Sequence, residues 1–131
     1  MAADPARRER RERLLAAHVA AENVVDVDAV IETFSHPRYE LVPLNEVYDG
    51  EAEVRRYYLE KEARGRLVYE VAGLYHSDNA VVVEVRNLST RHPKPDRAEF
   101  PSIAIFFFDE DDLLTCERVY WDTRNYDEVN G

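Results

Sequence analysis

The chain has 131 residues, of which 45% are hydrophobic and 34% charged, a composition typical of one soluble globular domain. Its 17 basic and 27 acidic residues give a formal charge of −10, which disfavours nucleic acid as a partner. The sequence has no apolar run long enough to span a membrane, no secretory signal and a single cysteine, Cys116. We therefore expect one cytoplasmic domain over residues 1–131, with its core at about residues 10–127 and with no nucleic acid or membrane as a partner.

Helices are predicted in the first half of the chain. Asp4 followed by Pro5 is a helix-start signal, because the aspartate caps free backbone amides and proline needs no hydrogen bond at the first helical position. The spacing of apolar residues predicts helices at residues 5–24, 29–34 and 51–64. Residues 39–44 and 47–48 favour short strands between the second and third helices.

Two charged runs predict solvent-exposed segments. The arginines at the start of the first helix are interleaved with Glu9 and Glu12, a pattern typical of a solvated helix end with local ion pairs. The four adjacent acids at residues 109–112 lack the spaced ligands of a calcium loop, and no Cys/His cluster has the spacing of a zinc site. We therefore expect a solvated helix start, a solvated acidic turn, no metal ion and no cofactor.

The second half of the chain predicts four long strands joined by hairpin-type connections, at residues 67–76, 80–90, 99–108 and 113–122. A loop with two prolines separates the second and third of these strands at residues 92–96. Helices that precede an antiparallel sheet predict an α+β domain. Residues 80–85 and 103–108 are apolar on both alternations, so we expect helices to cover one face of the sheet and a second subunit the other.

Three segments, Tyr39-Glu40-Leu41-Val42-Pro43-Leu44, Tyr48-Asp49-Gly50 and Arg118-Val119-Tyr120-Trp121-Asp122, occur in the order typical of one superfamily. Over about residues 10–127 the chain resembles the nuclear transport factor 2-like superfamily, and within it the SnoaL-like branch that includes polyketide cyclases. The resemblance implies a cone-shaped, curved antiparallel sheet wrapped by three N-terminal helices around an apolar pocket. It also implies a homodimer. Because this superfamily includes members without catalysis, fold alone does not determine function.

The resemblance implies three catalytic residues. Asp122 takes the position of an acid-base aspartate, and burial in an apolar cone would raise its pKa. Tyr39 matches a tyrosine of the related epoxide hydrolases, and His18 stands where the ketosteroid isomerases carry an oxyanion-binding tyrosine. The alternatives are that Asp122 caps the end of its strand and that His18 is a core histidine with a carbonyl or tyrosine partner.

Neither related reaction has its full set of residues here. Leu41 replaces the asparagine that orients the water of epoxide hydrolysis, and Val42 precedes Pro43 where the isomerase base is expected. On the strand at residues 80–90, one register points Val85 and Asn87 inward, and a slip of one residue points Glu84 and Arg86 inward instead.

Two functions remain open. The first is a protein that binds a mostly apolar small molecule in the cone, with isomerase- or cyclase-type acid-base chemistry. The second is a non-catalytic ligand-binding or dimerisation module of the same fold. The residues expected to line the ligand site are Tyr48, Tyr57, Asn87 and Tyr120, since tyrosines place polar tips on apolar walls. We expect Val119 and Trp121 on the outer sheet face, in a homodimer interface.

Overall fold

Among the described residues, three helices form one side of the fold, near the positions predicted from the sequence. The structure is a computed structural model that describes residues 4–64, 67–89 and 99–124. Its helices are α1 (Pro5–Asn23), α2 (Val27–Glu32) and α3 (Glu51–Arg64). The Asp4 carboxylate caps α1 by accepting a hydrogen bond from the backbone amide of Arg7, and Asp26 caps α2 through the amide of Ala29. Local capping chemistry therefore fixes both starts.

In the part of the chain that the structure describes, six strands form one curved sheet in the order β2-β1-β6-β5-β4-β3. They are β1 (Arg38–Leu41), β2 (Glu46–Asp49), β3 (Leu67–His76), β4 (Ala80–Ser89), β5 (Glu99–Phe108) and β6 (Leu114–Trp121). The first predicted strand is shorter than expected, because a 3₁₀ turn at Val42–Leu44 contains Pro43, which has no amide hydrogen for a ladder. The domain is α+β, as predicted.

The sheet is mixed, whereas the sequence predicted an antiparallel one. β1 runs parallel to β6, and the other four pairings are antiparallel. The exception has a simple cause. Consecutive strands joined by hairpins must be antiparallel, but most of the chain separates β1 from β6, so no tight turn sets their direction.

The two faces of the sheet differ in what covers them. On β4, Val85 and Asn87 are buried on the inner face toward the helices, and Glu84 and Arg86 are exposed on the outer face. The first of the two registers considered for this strand is therefore the observed one. The inner face packs against helix residues that include Leu15, Val30 and Val54 in one apolar core.

The prediction for β6 was wrong by one residue. Val119 and Trp121 face inward, where they pack against the apolar core, and Tyr120 is exposed on the outer face. Pairing with β5 decides which residues of β6 face inward. Glu117 pairs with the buried Phe106 of β5, and directly paired residues share a face. A strand has a period of two, so a shift of one residue reverses every side chain.

The two charged runs are not both solvated, which corrects another expectation. Arg11 and Asp112 are both buried, and the Nε atom of Arg11 lies 3.0 Å from Oδ1 of Asp112. Arg7 and Arg10 also form ion pairs with Asp112, at 3.1 and 3.0 Å. The helix start and the acidic turn thus neutralise each other, because the fold brings them together.

No helix among the described residues has both the length and the apolar composition that crossing a bilayer requires. The predicted loop at residues 92–96 and most of the predicted tail after Thr123 lie outside the described residues.

Candidate functional site

A hollow opens between the helices and the inner face of the sheet. Its cavity volume is about 100 Å³, and the empty space reaches about 1030 Å³ when the open mouth and adjoining solvent are included. Concave sites of this kind are where proteins bind small organic molecules. Its walls are mostly apolar and aromatic, with Leu41, Tyr48, Tyr57, Tyr69, Val83, Val85, Phe106, Val119 and Trp121 among them. The described acidic residues of the lining are Glu22, Glu46, Glu60 and Glu117.

His18 lies fully buried on α1 behind this lining, and its Nδ1 atom carries a proton. Nδ1 is 2.9 Å from the Thr33 hydroxyl, and that hydroxyl donates its own hydrogen to the Val30 carbonyl at 2.6 Å. A hydroxyl has one hydrogen to donate, so the Thr33 oxygen accepts from His18. The contact fixes both the orientation of the ring and the protonation of Nδ1.

The Nε2 atom of His18 faces two carboxylates. It lies 2.8 Å from Oε1 of Glu117 and 3.2 Å from Oε1 of Glu22. Carboxylate oxygens accept hydrogen bonds, so a proton on Nε2 satisfies these contacts and makes the ring an imidazolium. Burial by itself lowers the pKa of His18, but the charge of Glu22 and the hydrogen bond to Glu117 outweigh it and raise the pKa to about 10.

Two tyrosines complete this buried network. Tyr58 donates its hydroxyl hydrogen to Oε2 of Glu22 at 2.9 Å. Because that hydrogen is used, the Tyr58 oxygen accepts the hydroxyl hydrogen of Tyr39, at an oxygen–oxygen distance of 2.5 Å. The Tyr39 oxygen is in turn 3.3 Å from Nε2 of His18. Burial raises the pKa of both tyrosines well above the usual value, and the neighbouring carboxylates raise it further. Both hydroxyls therefore stay protonated.

His18, Glu22 and Glu117 are also the one group, within the part of the chain that the structure describes, whose potential metal-ligand atoms lie within 4.8 Å of one another. The separations from His18 Nε2 to the two carboxylate oxygens are ordinary hydrogen-bond lengths. We therefore assign a proton to the position between them.

Comparison with solved structures identifies the fold. SalBIII, an epoxide hydrolase/cyclase-like enzyme with a role in pyran ring formation in the polyether salinomycin, is 22% identical with a TM-score of 0.74, and the match covers 90% of this chain and 95% of SalBIII. TerC co-crystallised with polyporic acid is 13% identical with a TM-score of 0.78, and the match covers 92% of this chain and 97% of TerC. An NTF2-like protein of unknown function from Burkholderia pseudomallei is 12% identical with a TM-score of 0.77, and the match covers 92% of this chain and 97% of that protein.

The chain has the nuclear transport factor 2-like fold. This confirms the fold that the sequence resemblance implied. The sequence itself matches no protein-family model and no curated protein.

The nuclear transport factor 2-like cone contains three of the four residues expected to line a ligand site. Tyr48, Tyr57 and Asn87 lie in its wall. The Tyr48 hydroxyl donates to Glu46 at 2.9 Å. Burial, which is the larger cause, and this hydrogen bond, which is the next, raise the pKa of Tyr48 to about 12. Tyr120 is the exception, because the phase of β6 places it on the outer face.

Of the residues expected to be catalytic, His18 and Tyr39 lie together beneath the cone, and Asp122 lies elsewhere. Asp122 is exposed at the end of β6 and forms an ion pair with Arg124 at 2.7 Å. The hydrogen bonds from the Arg124 side chain and backbone amide lower the pKa of Asp122, the opposite of the expected shift. Burial was the reason for that expectation, and the inner face of β6 ends at Trp121.

Glu22 and Glu117 of this site were not predicted from the sequence. Glu22 follows His18 by one helical turn, and this i,i+4 spacing is a signal that can be read from the sequence. Glu117 lies 99 residues from His18, and only the correct phase of β6 turns it inward. No local pattern could have found that contact.

Proposed function

We propose that the cone binds a mostly apolar small molecule and that Glu117, supported by His18, exchanges protons with it. The proposed chemistry is of the isomerase or cyclase type and needs no cofactor. The observation that carries this proposal is the combination of an apolar hollow with two carboxylates in its wall that hold a buried imidazolium between them.

Each group has a defined part in this chemistry. Glu117 takes a proton from one atom of the ligand and returns it to another, so the ligand is rearranged and no proton is gained or lost. His18 holds Glu117 through the Nε2 hydrogen bond and is itself held by Thr33. Tyr39 and Tyr58 orient Glu22 beside the ring. General acid-base catalysis requires such positioning, because the base must stay within hydrogen-bond distance of the proton that it takes and must stay in the correct protonation state.

The structural neighbours support the same class of chemistry. SalBIII is an epoxide hydrolase/cyclase-like enzyme, and its fold matches over 90% of this chain. Epoxide hydrolysis itself is not proposed here, since Leu41 lies in the cone where a water-orienting asparagine was expected and its apolar side chain cannot hold a water.

The test is the exchange of an acidic C–H hydrogen in deuterium oxide, with 2-tetralone as an apolar ketone probe. Mass spectrometry follows deuterium incorporation with and without protein at neutral pH. The protein should accelerate exchange, and Glu117→Gln should reduce that acceleration at least about 100-fold because the amide is not a base. Asp122→Asn is the matched control and should exchange at the rate of the unmodified protein. An active Glu117→Gln variant would contradict the assignment of the base.

The alternative is a non-catalytic module that binds its ligand unchanged. The incomplete epoxide hydrolase and isomerase residue sets at Leu41 and Val42 favour it. The hollow supports the ligand-binding form of this alternative over a cone filled by its own side chains. Native mass spectrometry of protein purified from its own host would identify a retained ligand. Tight binding of that ligand with no turnover and no deuterium exchange would favour the alternative.

A further inference from the structure

A second polar position occurs in the cone, on the sheet wall away from His18. Asn87 of β4 and Ser102 of β5 both line the hollow, and their exposed fractions are 4% and 8%. Leu67, Phe100 and Trp121 line the same part of the wall. A hydrogen-bonding pair in apolar surroundings is costly to bury unless its hydrogen bonds are made.

The orientation of the Asn87 amide follows from its partners. Its Nδ2 atom lies 3.1 Å from the Phe100 carbonyl oxygen, and a carbonyl only accepts, so the atom on that side is the nitrogen. The second Nδ2 hydrogen is donated to Oγ of Ser102 at 2.8 Å. Both amide hydrogens are therefore used within the sheet.

This arrangement leaves one acceptor and one donor directed into the hollow. Within the described residues, nothing donates to Oδ1 of Asn87 and nothing accepts the hydroxyl hydrogen of Ser102. An alcohol or phenol hydroxyl both accepts and donates one hydrogen bond, so it matches this pair, whereas a carbonyl or a methyl group leaves at least one of the two atoms without a partner.

We infer that Asn87 and Ser102 form a subsite that binds a hydroxyl group of the ligand; this inference rests on the proposed function. The pairing of β5 with β6 gives the position of this subsite. Ser102 pairs with Trp121 and Phe106 pairs with Glu117, so four residues along β6 separate the subsite from the proposed base. At a strand rise of about 3.3 Å per residue this is about 13 Å. The substrate class is an apolar, ring-containing compound with a hydroxyl group at the end remote from the carbon that exchanges its proton.

Two probes of equal shape test the subsite, 4-hydroxybiphenyl and 4-methylbiphenyl. Trp121 is the only tryptophan and lies beside Ser102, so its fluorescence reports binding of either probe. The unmodified protein should bind the hydroxyl probe about tenfold more tightly than the methyl probe. Ser102→Ala should remove this preference and leave the affinity for the methyl probe unchanged.

Ser77→Ala is the matched control, since the Ser77 hydroxyl also forms a hydrogen bond, to the Ala80 carbonyl at 3.2 Å, but in the turn between β3 and β4. It should keep the tenfold preference. Equal affinities of the unmodified protein for the two probes would overturn the subsite and leave the proposed function standing, and this comparison needs no variant. A preference that survives Ser102→Ala would also overturn it. Binding of neither probe would count against both the subsite and the apolar cone as a ligand site.

Discussion

Arg11 and Asp112 are 101 residues apart in the chain and meet in a buried hydrogen bond of 3.0 Å. The same guanidinium donates to the Ser77 carbonyl at 3.3 Å, and its central carbon lies 4.9 Å from the centre of the Phe108 ring. One side chain of α1 thus contacts the turn between β3 and β4, the end of β5 and the turn that follows it. The helix is attached to the sheet through a charge that needs its partner.

Asp112→Asn should therefore lower the free energy of unfolding by about 3 kcal/mol, because removal of one member of a buried pair leaves an uncompensated charge. The backbone should tolerate the change, since Asp112 has a φ of 60° and asparagine readily adopts that left-handed conformation. Urea denaturation measures the difference. The control is Asp111→Asn in the same turn, which is exposed and should change stability by less than about 0.5 kcal/mol. Equal effects of the two variants would show that the pair contributes little.

Stability should fall as the pH rises above neutrality, and His18 should be the cause. Its pKa is raised from the ordinary 6.5 to about 10, so the folded protein holds a proton that the unfolded chain releases. The resulting stability is complete below about pH 6.5 and is lost as the pH approaches 10. Between about pH 7 and pH 9 the free energy of unfolding should decrease by up to about 1.4 kcal/mol per pH unit.

Urea denaturation at several pH values in that window, with His18→Gln and His36→Gln variants, assigns the slope. The His18 variant should lack most of it. His36 is exposed, and its variant should keep the slope of the unmodified protein. A slope that persists without His18 would show that another group carries the extra proton.

Asp122→Asn should leave binding and stability almost unchanged. The carboxylate is exposed and its ion pair with Arg124 is on the surface, where such pairs contribute little. Probe binding followed by Trp121 fluorescence, together with urea denaturation, should give values within experimental error of the unmodified protein. A large loss of binding would place Asp122 in the ligand site after all.

We also propose a symmetric homodimer through the outer face of the sheet, now with residues different from those first expected. The helices cover the inner face, and the outer face presents apolar side chains that include Ile103, Ile105, Phe107 and Tyr120. An apolar patch of this kind is uncommon on monomers, and a two-fold axis lets one patch cover its own copy.

Sedimentation at micromolar concentration should give a mass near twice the 15.3 kDa of one chain. Ile103→Glu should produce the monomer, because it places a charge in the interface. Leu59→Glu, on the exposed side of α3, is the control and should remain dimeric. A monomer in the unmodified protein would contradict the proposed interface.

The sequence by itself determined the features that depend on neighbours in the chain. Asp4 caps α1 and the polar turn at residues 77–79 joins β3 to β4, both as predicted, because capping and turn formation involve residues within a few positions of each other. The alternation of β4 also predicted that Val85 and Asn87 share a face. Which of its two registers applied stayed open, and the tertiary structure decided it.

The tertiary structure decided the phase of β6 and the partners of the buried charges. A strand pattern of period two has two possible phases, and only pairing with β5 selects the one that turns Glu117 inward. His18 meets Glu117 across 99 residues, and Arg11 meets Asp112 across 101. A charged residue in isolation is expected to face water, since burying it alone is costly, and the partner that removes this cost is found only after the chain has folded.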